Sequence, residues 1–144
     1  MFQIRVDCVL SKPVEAVFAA ITDHANYKHF PGIKDSKLLS AGTFEKNGQD
    51  ARREIIASPF RFVERITRYE KPLAMGYVIE ELHPFPIRHD RGEIILEPIA
   101  DKTRVLWISE GHLLVPMVGG VLDKLIEPQI TKAFKAILLH IEAS

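Results

Sequence analysis

Two charged side chains occupy strand faces that otherwise carry apolar residues. Glu64 shares a strand face with Phe62, and Arg53 alternates with Ile55 on the preceding strand. A charged group in an apolar environment is costly unless it has a partner or a shifted pKa. Glu64 and Arg53 therefore pair, reach solvent at the rim of the sheet, or orient the polar end of an apolar ligand, and acid–base chemistry by these groups stays open.

A second strand face could line the same interior. Tyr77 and Ile79 share this face, and continued alternation would also point Glu81 inward, whereas the opposite register would point Glu80 inward. Tyr77 combines an aromatic body with a hydroxyl, so it suits either core packing or contact with a ligand. The alternation predicts Tyr77, Ile79 and Glu81 at the site.

The C-terminal part of the chain supplies further candidates. Trp107 and Ser109 share a strand face, and Ile130 and Phe134 belong to an apolar stripe with helical spacing. Gln129 lies beside that stripe, where its amide could donate to a ligand or cap a backbone carbonyl freed by the neighbouring proline. For the apolar residues, core packing and ligand contact are alternatives that the sequence leaves open.

Two apolar connections could form the mouth of such a site. Residues 83–90 are interpreted as a loop that contains Phe85. An aromatic residue in a loop indicates a lid, a partner contact or a transient membrane contact, or it packs back on the core. Residues 115–121 are also apolar and precede the final helix. We expect Phe85 to contact a ligand at this mouth.

No motif for nucleophilic or metal-dependent catalysis is present. The sequence lacks GxSxG, HExxH and the glycine-rich phosphate-binding patterns. His83, His89 and Asp90 are metal-ligating residue types, but their spacing matches no rigid ligand pair, so no metal site is predicted. His24 and His29 are expected on the surface. We assign no catalytic residue and expect no cofactor.

The composition indicates one globular domain spanning residues 1–144. Nineteen Lys and Arg residues balance nineteen Asp and Glu residues, and a net charge of zero disfavours nucleic-acid binding. The single cysteine, Cys8, excludes an intrachain disulfide. No apolar run approaches the length of a transmembrane segment, and the alternating start predicts a strand rather than a secretory signal. A cytoplasmic protein is expected, and the oligomeric state is left open.

The elements that position these residues follow from the periodicity. Ser11 and Pro13 are expected to begin a helix after the first strand, and Thr22-Asp23 separates it from a second short helix. A tight turn is predicted at Asn47-Gly48. Strands are predicted at 2–10, 33–40, 49–57, 60–69, 74–82, 92–97 and 103–114.

The last element is a long amphipathic helix. Its apolar stripe runs from Leu122 to Ile141, and Pro128 inside it predicts either one kinked helix or two abutting ones. Strands followed by a helix indicate an α+β fold with an antiparallel sheet. Only this helix is long enough to cover the apolar face of the sheet, and an apolar cavity is expected between them.

Three stretches carry motifs: residues 12–18 (KPVEAVF), 22–32 (TDHANYKHFPG) and 103–107 (TRVLW). Together they resemble the START/Bet v 1-like superfamily, in particular its bacterial polyketide cyclase/dehydrase and lipid-transport group. The second stretch also resembles the coenzyme-Q-binding branch. The resemblance spans the chain and implies a helix-grip fold. In that fold a curved antiparallel sheet of about six or seven strands wraps round a long C-terminal helix, with two short helices after the first strand.

This resemblance implies that the protein binds or transports a hydrophobic small molecule, such as a lipid, a quinone or a polyketide. The expected site is the cavity between the sheet and the last helix. One alternative is a cyclase or dehydrase that acts in the same cavity. Another is a protein-interaction module that uses Phe85 and residues 115–121. Because one fold hosts many functions, the resemblance does not fix a reaction.

Overall fold

The elements of the fold follow the predicted order. The computed structural model describes all 144 residues. In chain order the elements are β1 (Phe2–Leu10), α1 (Val14–Ile21), a 3₁₀ helix (His24–His29), β2 (Asp35–Ser40), β3 (Arg52–Ala57), β4 (Phe60–Glu70), β5 (Ala74–His83), β6 (Ile87–Ile99), β7 (Lys102–Leu113) and α2 (Gly119–Ala143).

Seven strands form a single antiparallel sheet in the order β1-β7-β6-β5-β4-β3-β2. Every strand after β2 pairs with its predecessor in sequence, and β1 closes against β7 at the far edge. With α2 packed against β1 and β7, this arrangement is the helix-grip fold, and the α+β prediction is confirmed.

The first strand shows how the sequence directs this packing. Side chains at alternate positions of β1 are buried, from Phe2 to Leu10, while Gln3 and Arg5 face solvent. Cys8 falls on the inner face but is only half-buried at the edge of the core. A period of two is the pattern of a sheet with one covered face.

The two halves of α2 are buried to different degrees. Near its C-terminus, Ile137, Leu138 and Ile141 are buried in the core, whereas Ile126 and Ile130 in the preceding turns are only half-buried. Pro128 lies inside the helix, and α2 continues through it as one element. The apolar stripe is therefore continuous in sequence, but its C-terminal part is buried in the core and its first half is only partly covered.

Several local predictions are wrong. Ser11 does not cap α1: Pro13 occupies the N-cap position without a side-chain hydrogen bond, and the backbone N–H of Ser11 donates to Glu142. Strand β2 begins two residues later than predicted, and the connection from β2 to β3 is longer than a tight turn at Asn47-Gly48. Most of the predicted 83–90 loop is strand, because β6 already begins at Ile87.

Candidate functional site

A cavity of about 250 Å³ lies between the concave face of the sheet and α2. Twenty of its 24 lining residues are hydrophobic. The four exceptions are Arg53, Glu64, Ser109 and Gln129. The hollow arises because α2 packs on β1 and β7 at one edge of the sheet, while the opposite strands curve round beneath it. An apolar enclosure with few polar groups is the usual form of a small-molecule site.

One end of the cavity, called here the closed end, is built around an ion pair. Arg53 on β3 lies opposite Glu64 on β4 in the sheet register. The Arg53 Nε donates to Glu64 Oε1 at 2.9 Å, and its Nη2 lies 2.7 Å from the same oxygen. Only 1% of Arg53 and 6% of Glu64 is exposed. The pairing expected as one alternative is therefore present, and it faces the cavity.

Tyr27 and His24, both from the segment that precedes β2, contact the Arg53 guanidinium. The Arg53 Cζ lies 4.5 Å from the centre of the Tyr27 ring, a cation–π distance. The Tyr27 hydroxyl donates to the Ile21 carbonyl oxygen, which fixes the ring at the end of α1. Burial opposes the charged form of Arg53, but Tyr27 and Glu64 outweigh it and raise the pKa of Arg53.

His24 completes the support of Arg53, so its predicted surface position is wrong. Its ring is fully buried, with Nδ1 3.0 Å from Arg53 Nη1 and Nε2 2.9 Å from the Asn47 carbonyl oxygen. Because Arg53 can only donate, Nδ1 accepts and Nε2 donates to Asn47. Burial and the adjacent Arg53 charge lower the pKa of His24 to about 3, so the ring is neutral at pH 7.

Aromatic side chains form the wall next to the ion pair. The Trp107 Nε1 donates to the Tyr77 hydroxyl at 3.0 Å. The Trp107 ring stacks on Phe134 of α2, with centroids 3.9 Å apart and planes 8° apart. Burial, followed by the charge of Glu64, raises the pKa of Tyr77. The phenol therefore stays protonated and acts as a hydrogen-bonding wall.

His89 is a structural member of this wall that alternation on β6 does not predict. Gly92, Ile94 and Leu96 are buried, so a period of two would turn residue 90 inward, but a bulge between residues 89 and 91 turns His89 inward instead. Its Nδ1 accepts from the Ile79 backbone N–H at 3.1 Å, and its Nε2 donates to Ser109 Oγ at 2.9 Å.

The burial of His89 and the small size of Gly92 belong together. Burial lowers the pKa of His89 to about 4, so the ring is neutral at pH 7. A Cβ at Gly92 would lie 2.7 Å from the His89 ring and 2.6 Å from the Tyr77 carbonyl oxygen. Glycine at this position therefore leaves room for the His89 ring and for the close approach of Tyr77 on β5.

A β-bulge removes Glu81 from the predicted site. In the pairing of β4 with β5, Val63 lies opposite Glu81 but Glu64 lies opposite Ile79, so β5 contains one extra residue there. Tyr77 and Ile79 still point inward, but beyond the bulge Leu82 lines the cavity. Glu81 is exposed and lies near Arg61 and His83. The prediction that Glu81 points inward is therefore wrong.

The other end of the cavity, called here the open end, reaches solvent. Side chains from the β3–β4 turn, the β5–β6 turn and the first half of α2 surround it, and they are half-buried or exposed. They are Phe60, Phe62, Leu82, Phe85, Ile87, Ile126, Gln129, Ile130 and Ala133. The Phe60 ring contacts both Phe62 and Phe85, with centroids 6.2 and 6.3 Å apart.

A model of the family described as polyketide cyclase / dehydrase and lipid transport matches residues 1–144. The chain belongs to this family. No curated protein sequence matches it.

Solved structures share the fold of this family member. A START superfamily protein from Mycobacterium smegmatis is 12% identical, with a TM-score of 0.78 and coverage of 99% of both chains. The protein TTHA0849 from Thermus thermophilus is 18% identical, with a TM-score of 0.77 and coverage of 98% of this chain and 94% of that chain. Ara h 8.0201 is 14% identical, with a TM-score of 0.69 and coverage of 99% and 98%. At such identities the likeness shows the fold alone.

Eleven of the twelve residues selected from the sequence line the cavity of this family member; only Glu81 does not. The eleven are Arg53, Phe62, Glu64, Tyr77, Ile79, Phe85, Trp107, Ser109, Gln129, Ile130 and Phe134. The selection omits thirteen other lining residues, among them Tyr27 and Ile33, which enter the cavity from the segment between α1 and β2. No periodicity signals these two, because neither residue lies on a strand or an amphipathic helix.

The two predicted mouth segments differ in the structure. Phe85 is half-buried and lines the open end, in a connection of only three residues between β5 and β6. In the 115–121 segment, by contrast, Met117 and Val118 before α2 and Val121 in its first turn are exposed. Neither α-helix has the length and apolarity that crossing a membrane requires.

The metal-ligating residue types near β6 point in different directions. His83 lies 4.0 Å from Glu81, His89 is buried against Ser109, and Asp90 lies beside Arg88 and His112. No group of three or more His, Cys, Asp or Glu side chains converges on one point.

Proposed function

We propose that this protein binds a hydrophobic small molecule in the cavity between the sheet and α2. The observation that carries the proposal is a cavity of about 250 Å³ whose lining is apolar except for Arg53, Glu64, Ser109 and Gln129. Transfer of apolar surface from water into such a hollow contributes about 0.8 kcal/mol for each buried methylene group. Membership of the polyketide cyclase / dehydrase and lipid transport family is consistent with such a ligand.

The position of the open end supports entry of a ligand without unfolding. Its lining residues Phe85 and Ile130 are half-buried, and Gln129 is exposed. These side chains stand on a short turn and on the half of α2 that has no solid core beneath it. A small displacement of the turn against α2 would widen the opening, so we place the ligand entrance here.

A cyclase or dehydrase acting in the same cavity has weaker support. Acid–base catalysis needs a group that can take or give a proton near pH 7. Tyr77 has a raised pKa, and the pKa values of His24 and His89 are lowered to about 3 and about 4. The remaining candidate base, Glu64, is held by Arg53. The polar groups thus suit a fixed anchor better than a proton carrier.

The proposal is tested with N-phenyl-1-naphthylamine, a neutral apolar dye whose emission rises in apolar surroundings. We expect saturable binding to the wild-type protein. Ile130→Trp adds bulk at the open end and is expected to lower the affinity at least tenfold. Val121→Trp places the same side chain on the exposed side of α2 and is the matched control, with wild-type affinity.

The outcomes separate the rival sites. Absence of saturable dye binding, or equal binding to the wild type and Ile130→Trp, would contradict a ligand site in the cavity. If Val121→Trp alone weakens binding, the exposed apolar residues around the start of α2 are the contact surface. If the cavity is the binding site, native mass spectrometry of the wild-type protein purified from cell extract should reveal a retained apolar compound. The Ile130→Trp protein should lack that compound.

A further inference from the structure

One carboxylate oxygen of Glu64 has no partner within the protein. Both close contacts from Arg53 reach Oε1, and Oε2 accepts no hydrogen bond from any side chain or backbone group. No fully buried side-chain oxygen or nitrogen lacks a partner, so Oε2 must be accessible. Because Glu64 is 94% buried and lines the cavity, the only space that Oε2 can face is the cavity.

The closed end carries no net charge. The positive charge of Arg53 is balanced by Glu64, and the two buried histidines, His24 and His89, are neutral at pH 7 because burial lowers their pKa values. A ligand with an ionised end would bring an uncompensated charge into apolar surroundings, which is strongly unfavourable.

The three ring N–H groups near the closed end are already occupied. The Trp107 N–H donates to Tyr77, the His89 N–H donates to Ser109, and the His24 N–H donates to the Asn47 carbonyl oxygen. The free position on Glu64 is an acceptor, because a carboxylate oxygen accepts and does not donate. A complementary ligand must therefore supply the donor.

We propose that the ligand is an uncharged, largely apolar molecule whose inner end carries a hydroxyl group that donates to Glu64 Oε2. This inference rests on the proposed function and narrows it to the class of neutral alcohols and phenols. Fatty acids, other carboxylates and ammonium compounds are excluded by charge, and hydrocarbons and ethers leave the carboxylate oxygen unsatisfied. A hydrogen bond to a charged acceptor favours the alcohol by about tenfold or more in affinity.

Three probes of similar size and shape separate these classes: 2-naphthol, 2-methoxynaphthalene and 2-naphthoate. Binding at pH 7 is measured by quenching of Trp107, the only tryptophan in the chain and a cavity-wall residue, and by calorimetry. We expect 2-naphthol to bind at least about tenfold more tightly than 2-methoxynaphthalene, and 2-naphthoate to bind more weakly than either.

Two variants link this preference to Glu64. Glu64→Gln leaves the charge of Arg53 uncompensated, so we expect the order to invert, with 2-naphthoate now the tightest ligand. The double variant Arg53→Gln/Glu64→Gln removes both charges. It keeps the role of Glu64 testable if the single variant unfolds. We expect it to bind 2-naphthol and 2-methoxynaphthalene equally and to gain no affinity for 2-naphthoate.

Each outcome decides between the two levels of inference. Equal wild-type affinity for 2-naphthol and 2-methoxynaphthalene overturns the hydroxyl assignment but leaves an apolar binding site. Tightest wild-type binding of 2-naphthoate overturns the neutral class. An unchanged preference in the double variant shows that Glu64 is not the acceptor. If none of the three probes and no apolar dye binds, the proposed function fails and this inference fails with it.

Discussion

The closed end and the open end of the cavity differ in how deeply their lining residues are buried. At the closed end Arg53, Glu64 and Trp107 are buried and each has a protein partner. At the open end Phe85 and Ile130 are only half-buried. Because buried charged groups require partners, the ion pair and the hydrogen bonds around it fix the geometry of the closed end. The open end contains no buried charged side chain, so its residues can adjust to accommodate a ligand.

Because of this difference, we expect the closed end to contribute mainly to the stability of the fold and the open end to contribute mainly to ligand binding. Substitutions at the closed end remove interactions that the folded chain needs, while substitutions at the open end remove contacts that only a ligand would complete. The predictions below test that separation, beginning with the largest expected change in the free energy of unfolding.

The ion pair should give the largest effect. Glu64→Leu leaves the Arg53 guanidinium buried without its counter-charge, and we expect a loss of about 3–5 kcal/mol in the free energy of unfolding. Arg53→Met/Glu64→Leu removes both charges and should recover most of that loss. Urea denaturation measures both.

A surface pair provides the control for this prediction. Arg104→Met breaks the exposed ion pair with Asp7 on the outer side of β1 and β7, and we expect little change, because exposed pairs contribute little. If Glu64→Leu were no more destabilising than Arg104→Met, the closed end would not be the rigid region described here.

Two isoleucines on α2, seven residues apart, compare the ends directly. Ile137 is buried and Ile130 is half-buried at the open end. Ile137→Ala should cost about 2–5 kcal/mol of unfolding free energy. Ile130→Ala should cost less than about 1 kcal/mol, because it removes a side chain already partly in water. Equal losses would indicate that the first half of α2 also lies on a solid core.

The buried histidines of the closed end predict a pH dependence of stability. Burial, with the Arg53 charge in the case of His24, lowers the pKa values of His24 and His89 to about 3 and about 4. Below pH 6.5 the unfolded chain binds protons that the folded chain does not. Stability is therefore fully present above pH 6.5 and is lost as the pH falls towards these values.

The slope of this loss identifies the residues. Each histidine contributes up to about 1.4 kcal/mol per pH unit. We expect His89→Gln to reduce the slope of unfolding free energy between pH 6 and pH 5 by up to that amount. A slope that is the same in the variant and in the wild type would mean that His89 takes up protons equally in both states.

The architecture was predictable from the sequence because it follows periodicity. Alternation on β1, the stripe on α2 and the charged residues on apolar faces at Arg53 and Glu64 each identified an inner surface correctly. These signals are local, since each depends on the residue types found two to four positions away in the sequence.

The errors occur where the period is interrupted or where the partner is distant in sequence. Bulges on β5 and β6 exchange Glu81 for Leu82 and turn His89 inward, and alternation alone gives no sign of the extra residue. The burial of His24 depends on its contact with Arg53, which lies 29 residues away in the sequence. Such a long-range contact follows from the tertiary fold, which a single sequence does not reveal.

The most direct test of the hollow interior is the position of a bound guest. Intermolecular NOEs between N-phenyl-1-naphthylamine and methyl groups of the protein locate the dye without any substitution. We expect NOEs to Ile55, Ile79 and Ile130, which line the cavity. NOEs confined to Met117, Val118 and Val121, which lie outside it, would contradict the cavity as the binding site.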